Sequence, residues 1–194
     1  MTKSELRKSY LAQQRTLSSA ERAEKSTQIA DNFFAGVDLT QVNFLHCFVA
    51  IEKHNEIDTG IIFHRIWKQF PQIRTVVPRV DFETGELESV SYTADSELEQ
   101  NRWSIHEPLH DEIVEAQQID MVLTPGLTYD RSGHRVGYGK GFYDRFLDLW
   151  RPDCVKIGLS YFEPVEEIQD AYEGDVRLDY VFTPEGKYTI RTQS

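Results

Sequence analysis

Thiols are scarce in this chain: Cys47 and Cys154 are the two cysteines among 194 residues. Neither belongs to a CxxC pair and each lies in an apolar, strand-like run, so both read as small buried hydrophobes, not as a disulfide framework or a metal knuckle. Long apolar runs are missing too. No stretch reaches the roughly 18 residues a membrane span needs, and the opening MTKSELRKSYLAQQ is too polar for a secretory signal. A cytoplasmic protein with no membrane partner is expected. Positive charge is also in short supply: 21 Lys and Arg stand against 32 Asp and Glu, a net charge of −11. That balance repels a nucleic-acid backbone, so an anionic ligand would have to be held by a local cluster of cations.

What is present is ordinary for a globular chain. Hydrophobic residues make up 40% and charged residues 27%, which suits one substantial core and one domain over residues 1–194, without repeats or linkers. Thr2 to Glu5 and Ser18 to Glu21 both fit the capping box, placing helices at about Lys3 to Arg15 and Ser19 to Phe34, the second ending near Gly36. Asn43 to Ile51 reads as a buried strand. Thr59 is expected to cap a helix from Gly60 to Phe70, and Arg74 to Pro78 forms a strand stopped by its proline. Glu88 to Thr93 reads as an outer strand after a Thr84-Gly85 turn, and Ile119 to Gly126 as another apolar strand. A helix follows from Phe142 to Trp150, with Phe142, Phe146 and Leu149 on one face. VKIGLS and DYVFTP supply later strands. Helices alternating with strands predict an α/β fold: three layers, α/β/α, around a mostly parallel sheet.

Five of the 11 glycines fall between Gly126 and Gly141, interspersed with Arg131, Arg135 and Lys140. In a parallel sheet, ligands bind where such loops leave the carboxyl ends of strands. Glycines let main-chain N–H groups converge on an anion, and the next helix adds its free donors. The alternative is a long loop whose glycines serve turns alone. Two familiar phosphate motifs fail here. A Walker loop would need glycine at His134 and Ser or Thr at Gly141; the dinucleotide pattern would need glycine at Phe142. Asp144, in the first turn of the next helix, either caps it or joins a magnesium site; Asp179 is a candidate second carboxylate. Lys3 and Arg7, four apart, share one side of the first helix and offer further positive charge. His106, His110 and His134 have no metal-binding spacing and read as surface or loop residues.

The segments KSELR, NEIDT, VPRV and RWSIHEP, and above all DMVLTPGLTYDRSGHRVGYGKGFYDRF, resemble in order the 5-formyltetrahydrofolate cyclo-ligase family, also called 5,10-methenyltetrahydrofolate synthetase. Two positions depart from its pattern: Tyr138 stands where some members have arginine, and Phe142 where tyrosine is usual. The resemblance implies a fold like that of sugar-phosphate isomerases and CoA transferases. It also implies an ATP- and magnesium-dependent ligase that cyclises 5-formyltetrahydrofolate, here expected to act as a monomer on small molecules alone. By the same resemblance, Lys3, Arg7, Arg135, Gly137, Tyr138, Gly139, Lys140, Gly141, Phe142 and Tyr143 bind ATP. Val49, Glu56 and Trp103 contact the folate together with residues 138–142, Trp103 being either a wall for the pterin or a core residue. Asp144 and Asp179 hold the metal.

The chemistry implied asks for charge stabilisation and alignment, for which Lys140 and Arg135 are the catalytic candidates beside Lys3 and Arg7, and no nucleophilic side chain is needed. Two rival readings are a non-catalytic folate-binding or storage protein and a sugar-phosphate isomerase of the same fold.

Overall fold

The structure is a computed structural model that describes residues 1–81, 84, 86–101, 106–109, 112–139, 142–147, 149–172 and 174–190; for residues 52, 142, 144 and 145 it describes the main chain only. Helices α1 (Lys3–Thr16) and α2 (Ser19–Gly36) open the chain, each with both reciprocal hydrogen bonds of its capping box formed. Strand β1 (Phe44–Cys47) leads through a single 3-10 turn (Glu52–His54) to α3 (Gly60–Gln69), followed by β2 (Arg74–Val80) and β3 (Leu87–Ser91). Two short hairpins, β4 (Leu98–Gln100) with β5 (His106–Pro108) and β7 (Thr128–Tyr129) with β8 (Arg135–Val136), flank β6 (Met121–Pro125). Then come α4 (Phe142–Leu147), β9 (Val155–Leu159), β10 (Tyr180–Thr183) and β11 (Gly186–Thr189).

Seven strands form one sheet in the order β11-β10-β9-β6-β1-β2-β3. The five from β10 to β2 run parallel; β11 and β3 are antiparallel edges. Alternation along each parallel strand feeds two cores, as expected for a sheet covered on both faces. Leu45, Cys47, Met121 and Leu123 point to the face where Ile29, Phe33, Ile62, Phe63 and Ile66 of α2 and α3 pack. Val76 and Val122 point to the other, against Phe146, Leu147 and Trp150. Each side chain so buried contributes about 1.5–3 kcal/mol. Leu6 seats α1 on the β7–β8 hairpin beside Val136 and Ile168.

Several expectations from sequence need correcting. Asn43 to Ile51 is strand only over Phe44–Cys47; the chain then turns away, so Phe48 and Val49 become a wall at the strand's carboxyl end. Thr59 adopts helical angles and makes no cap; its hydroxyl donates to the Phe48 carbonyl at 2.7 Å, while Asp58 accepts from the Gly60 N–H at 2.9 Å. Pro78 does not stop β2. The pairing with β1 ends at Val76, so the missing N–H falls where there is no neighbour on that side, and β3 continues alongside to Val80. Helix α4 ends at Leu147; Leu149 is 59% exposed and Trp150 takes the buried place. Both cysteines are free and buried. Among the described residues, no helix is long and apolar enough to cross a membrane.

Candidate active site

A cavity of about 400 Å³ opens at the carboxyl ends of the parallel strands. Phe48 and Val49 from beyond β1, Pro78 and Val80 from β2, and Pro125 from β6 give it apolar walls. Because those strands are parallel, their ends lie together, and the loops that follow converge there. The hairpin β7–β8 and the loop after it bring Arg135, Gly137, Tyr138 and Gly139, α4 brings Tyr143, and α1 brings Lys3 and Arg7 from the far end of the sequence.

The cations are held in place. Arg7 Nε donates to the Gly137 carbonyl at 2.8 Å, and Lys3 pairs with Asp175. Arg135 is only 6% exposed. The glycines divide the labour. Gly139 has φ +96°, where a Cβ is strained, and an added Cβ would stand 3.2 Å from Arg7 Nε. At Gly137 nothing lies within 4 Å of such a Cβ, so its main chain borders open space. Gly126 and Gly133 have structural reasons: a Cβ at the first would collide with the Tyr129 hydroxyl, and one at the second would stand 2.8 Å from the Leu178 carbonyl. Asp130 anchors the turn before the loop, accepting from the main-chain N–H of Ser132, His134 and Ile168 at 2.9, 2.9 and 3.2 Å. Of the surface and loop alternatives, His134 is a buried loop histidine: it is 9% exposed, with Nδ1 3.1 Å from the Asp130 carboxylate.

Glu56 forms part of the wall near Val49. Its carboxylate accepts the Ile51 N–H at 2.8 Å. Burial pushes its pKa up to about 7, opposed by that bond and by one from Tyr138. The Tyr138 hydroxyl also receives a hydrogen bond at 3.1 Å from Gln14 Nε2, and burial drives its pKa far upward. Tyr143 has a buried hydroxyl without a partner among the described residues and a pKa raised, again by burial, well above the usual value. Trp103, His110, Lys140 and Gly141 lie outside the described residues, and for Phe142 and Asp144 the helical main chain alone is described.

The structure does not bring Asp179 to this cavity. Asp179 precedes β10, and its carboxylate accepts the N–H of Lys156, the second residue of β9, at 2.7 Å. It thus caps the amino ends of parallel strands, whereas Val49 and Pro125 mark the carboxyl ends. A metal held jointly by Asp144 and Asp179 does not fit this topology. Asp144 directly follows Tyr143 of the cavity wall in the chain. Among the described residues there is no group of three or more His, Cys, Asp or Glu suited to a metal.

Sequence reasoning missed Gln14 and Glu107 and set His106 aside as a surface or loop residue. His106 and Glu107 line the cavity from β5, with Glu107 accepting the Val80 N–H at 3.0 Å. Gln14 is 3% exposed, although it sits on the polar first helix. An amide buried this deeply has its hydrogen bonds satisfied elsewhere, but its partners are too remote in sequence to be read from helical spacing.

Residues 1–184 match the profile of the 5-formyltetrahydrofolate cyclo-ligase family. The Escherichia coli K12 5-formyltetrahydrofolate cyclo-ligase is 28% identical over 173 residues, covering 88% of this chain and 93% of that protein. The Mus musculus 5-formyltetrahydrofolate cyclo-ligase is 28% identical over 182 residues, covering 86% of each. Among solved structures, Aquifex aeolicus 5,10-methenyltetrahydrofolate synthetase superposes with a TM-score of 0.83 at 26% identity, over 100% of this chain and 95% of the other. The Mycoplasma pneumoniae 5,10-methenyltetrahydrofolate synthetase gives 0.73 at 25%, over 95% and 99%. The α/β fold is thus shared with two solved methenyltetrahydrofolate synthetases, and this chain belongs to the 5-formyltetrahydrofolate cyclo-ligase family.

Proposed function

We propose that the chain uses ATP to close 5-formyltetrahydrofolate into 5,10-methenyltetrahydrofolate, releasing ADP and phosphate, and that both substrates meet in the cavity described above. One observation carries this reading: the same cavity gathers Lys3, Arg7, Arg135 and glycine main chain for a polyphosphate, and apolar walls with Glu56 for a flat polar ring. In a protein of net charge −11, that local concentration of cations answers the need for a confined anion site.

The formyl group is an amide, and its carbon is a poor electrophile while the nitrogen lone pair is delocalised. Transfer of the γ-phosphoryl group forms a bond from phosphorus to the formyl oxygen and breaks the bond to the bridging oxygen, which leaves with ADP. Nitrogen ten then attacks the formyl carbon and loses its proton. Cleavage of the carbon–oxygen bond releases phosphate with the electron pair, leaving the methenyl bridge. Lys3, Arg7, Arg135 and Lys140 are assigned to the charge on the transferring group, a role that demands groups fixed in advance. The Arg7 bond to Gly137 and the Lys3 pair with Asp175 supply that fixity. Magnesium, when bound, neutralises phosphate oxygens, and Asp144 is the residue assigned to it. Glu56 accepts N–H groups of the folate and orients it.

The test is growth of methenyl absorbance from 5-formyltetrahydrofolate, with and without ATP and with and without magnesium. Absorbance that requires all three supports the proposal. Folate binding without turnover would make the chain a storage protein, and turnover of a sugar phosphate without ATP would make it an isomerase.

A further inference from the structure

We propose that Gln14 is a positioning residue for the folate: its side-chain amide holds the Tyr138 hydroxyl so that the hydroxyl hydrogen is directed at the Glu56 carboxylate. This deepens the reading given above and rests on it. Gln14 belongs to α1, which carries Lys3 and Arg7 in the same cavity, so the helix assigned to the nucleotide also sets the geometry of the folate carboxylate.

The direction of the chain follows from donor chemistry. Gln14 Nε2 can only donate, and it gives one hydrogen to the His54 carbonyl at 2.7 Å and one to the Tyr138 hydroxyl oxygen at 3.1 Å. With its oxygen engaged as acceptor, Tyr138 has its own hydrogen to place, and Glu56, on the wall of the same cavity, is the carboxyl group that acts on it. Glu56 in turn accepts the Ile51 N–H. The Ile51 N–H holds this carboxylate from its own turn, the Tyr138 hydroxyl is assigned as its second donor, and the Gln14 bond to the His54 carbonyl fixes the turn that leads to it. Accepting a hydrogen bond makes the phenol a better donor, so losing Gln14 weakens the next link as well as its own. The alternative is that Gln14 merely bolts α1 to the turn at residues 52–54.

Other titratable or charged groups face the same cavity from each packed element: Lys53 and His54 from the turn, Arg135 and Tyr143 beyond β7; outside it, the Tyr161 hydroxyl donates to the Glu56 carbonyl at 2.9 Å. The titration is therefore read at the Glu56 carboxyl carbon itself. Three chains suffice beside the wild type: Gln14→Met, which keeps the length, Tyr138→Phe, which keeps the ring, and the double variant. In ligand-free protein labelled with carbon-13 glutamate, the Glu56 midpoint should rise in both single variants, because the carboxylate loses a donor that favours its ionised form. For 5-formyltetrahydrofolate, Gln14→Met should raise KM about fivefold, the worth of one net hydrogen bond, with the KM for ATP within about twofold; in the Tyr138→Phe background it should add nothing further.

An unmoved midpoint, or an equal loss of folate affinity in both backgrounds, makes Gln14 a structural bolt and overturns the proposal. If Gln14→Met does not fold, Tyr138→Phe probes the same link from the other end. If the wild type neither binds nor cyclises 5-formyltetrahydrofolate, the functional reading fails, while the ligand-free midpoints still decide the hydrogen-bond chain.

Discussion

Glu56 joins stability to function, and Glu56→Gln separates the two. Its carboxyl group titrates near 7 in the folded chain against an ordinary 4.5, with burial the dominant cause. A carboxyl group raised in this way binds its proton more tightly when folded than when unfolded. Between 4.5 and 7 the unfolded chain releases that proton while the folded chain keeps it, so stability is fully present below the unfolded value and falls as pH rises through this window. Integrating over the two midpoints, ionisation of Glu56 removes about 2–3 kcal/mol of stability between about pH 5 and pH 8. A glutamine at this position would keep the shape and an acceptor for the Ile51 N–H, and would not titrate.

The expected outcome is a crossing of behaviours. The melting temperature of Glu56→Gln minus that of the wild type should grow by about 5–10 °C from about pH 5 to pH 8, since about 1 kcal/mol moves a chain of this size by about 2–4 °C. Any constant effect of the amide cancels in the difference. In the same variant the KM for 5-formyltetrahydrofolate should rise at least about tenfold, because an amide replaces the charged acceptor. Scanning calorimetry at matched ionic strength checks the first outcome and the methenyl assay the second. A difference in melting temperature that is the same at both ends of this pH range would refute the claim that this carboxyl group carries an ionisation cost.

His46 is fully buried with both ring nitrogens unpartnered among the described residues, and burial lowers its pKa to about 3. Folding therefore gains from His46 staying neutral above about 6.5 and loses this as pH falls; His46→Leu should raise the melting temperature in a thermal scan, increasingly so as pH falls from about 6.5 toward 3. Gly139→Ala should raise the KM for ATP several-fold with little change in that for the folate, because the left-handed conformation is strained and the new methyl crowds Arg7; equal effects on both substrates would count against it. Asp144→Asn should shift the magnesium titration of turnover upward, whereas Asp179→Asn should leave it in place and lower the melting temperature by weakening the bond to Lys156.

The parts of the fold that depend on neighbours in sequence were legible. Both capping boxes, the apolar strands and the helix–strand alternation need only local patterns, and they gave the helices and the parallel core closely. Failures came where a partner elsewhere decides the outcome. Pro78 breaks a strand only if its missing N–H would face a neighbour, and whether β1 reaches that far depends on residues far earlier in the chain. Thr59 looked like a cap, but the Phe48 carbonyl takes its hydroxyl. Asp179 resembled a metal ligand by position in the chain, and the direction of β10 sends it to the other end of the sheet.

The site divides along the same line. Glycines clustered with Arg135 mark an anion loop because backbone conformation and charge are written in adjacent residues. Tyr138 could not be interpreted in that way. Where some members of the family carry arginine, this chain has a neutral phenol, and from the loop alone the change reads as a loss. Its meaning depends on Gln14, 124 positions away, which supplies the donor that turns the phenol toward Glu56. A guanidinium there would favour an ionised Glu56 by charge; a phenol favours it by one hydrogen bond, a weaker influence against the same burial. The pKa of Glu56 therefore stays raised by burial, which the phenol at residue 138 opposes only in part. Tyr138→Arg should lower the Glu56 midpoint in the carbon-13 titration, and in that background the contribution of Gln14 should vanish.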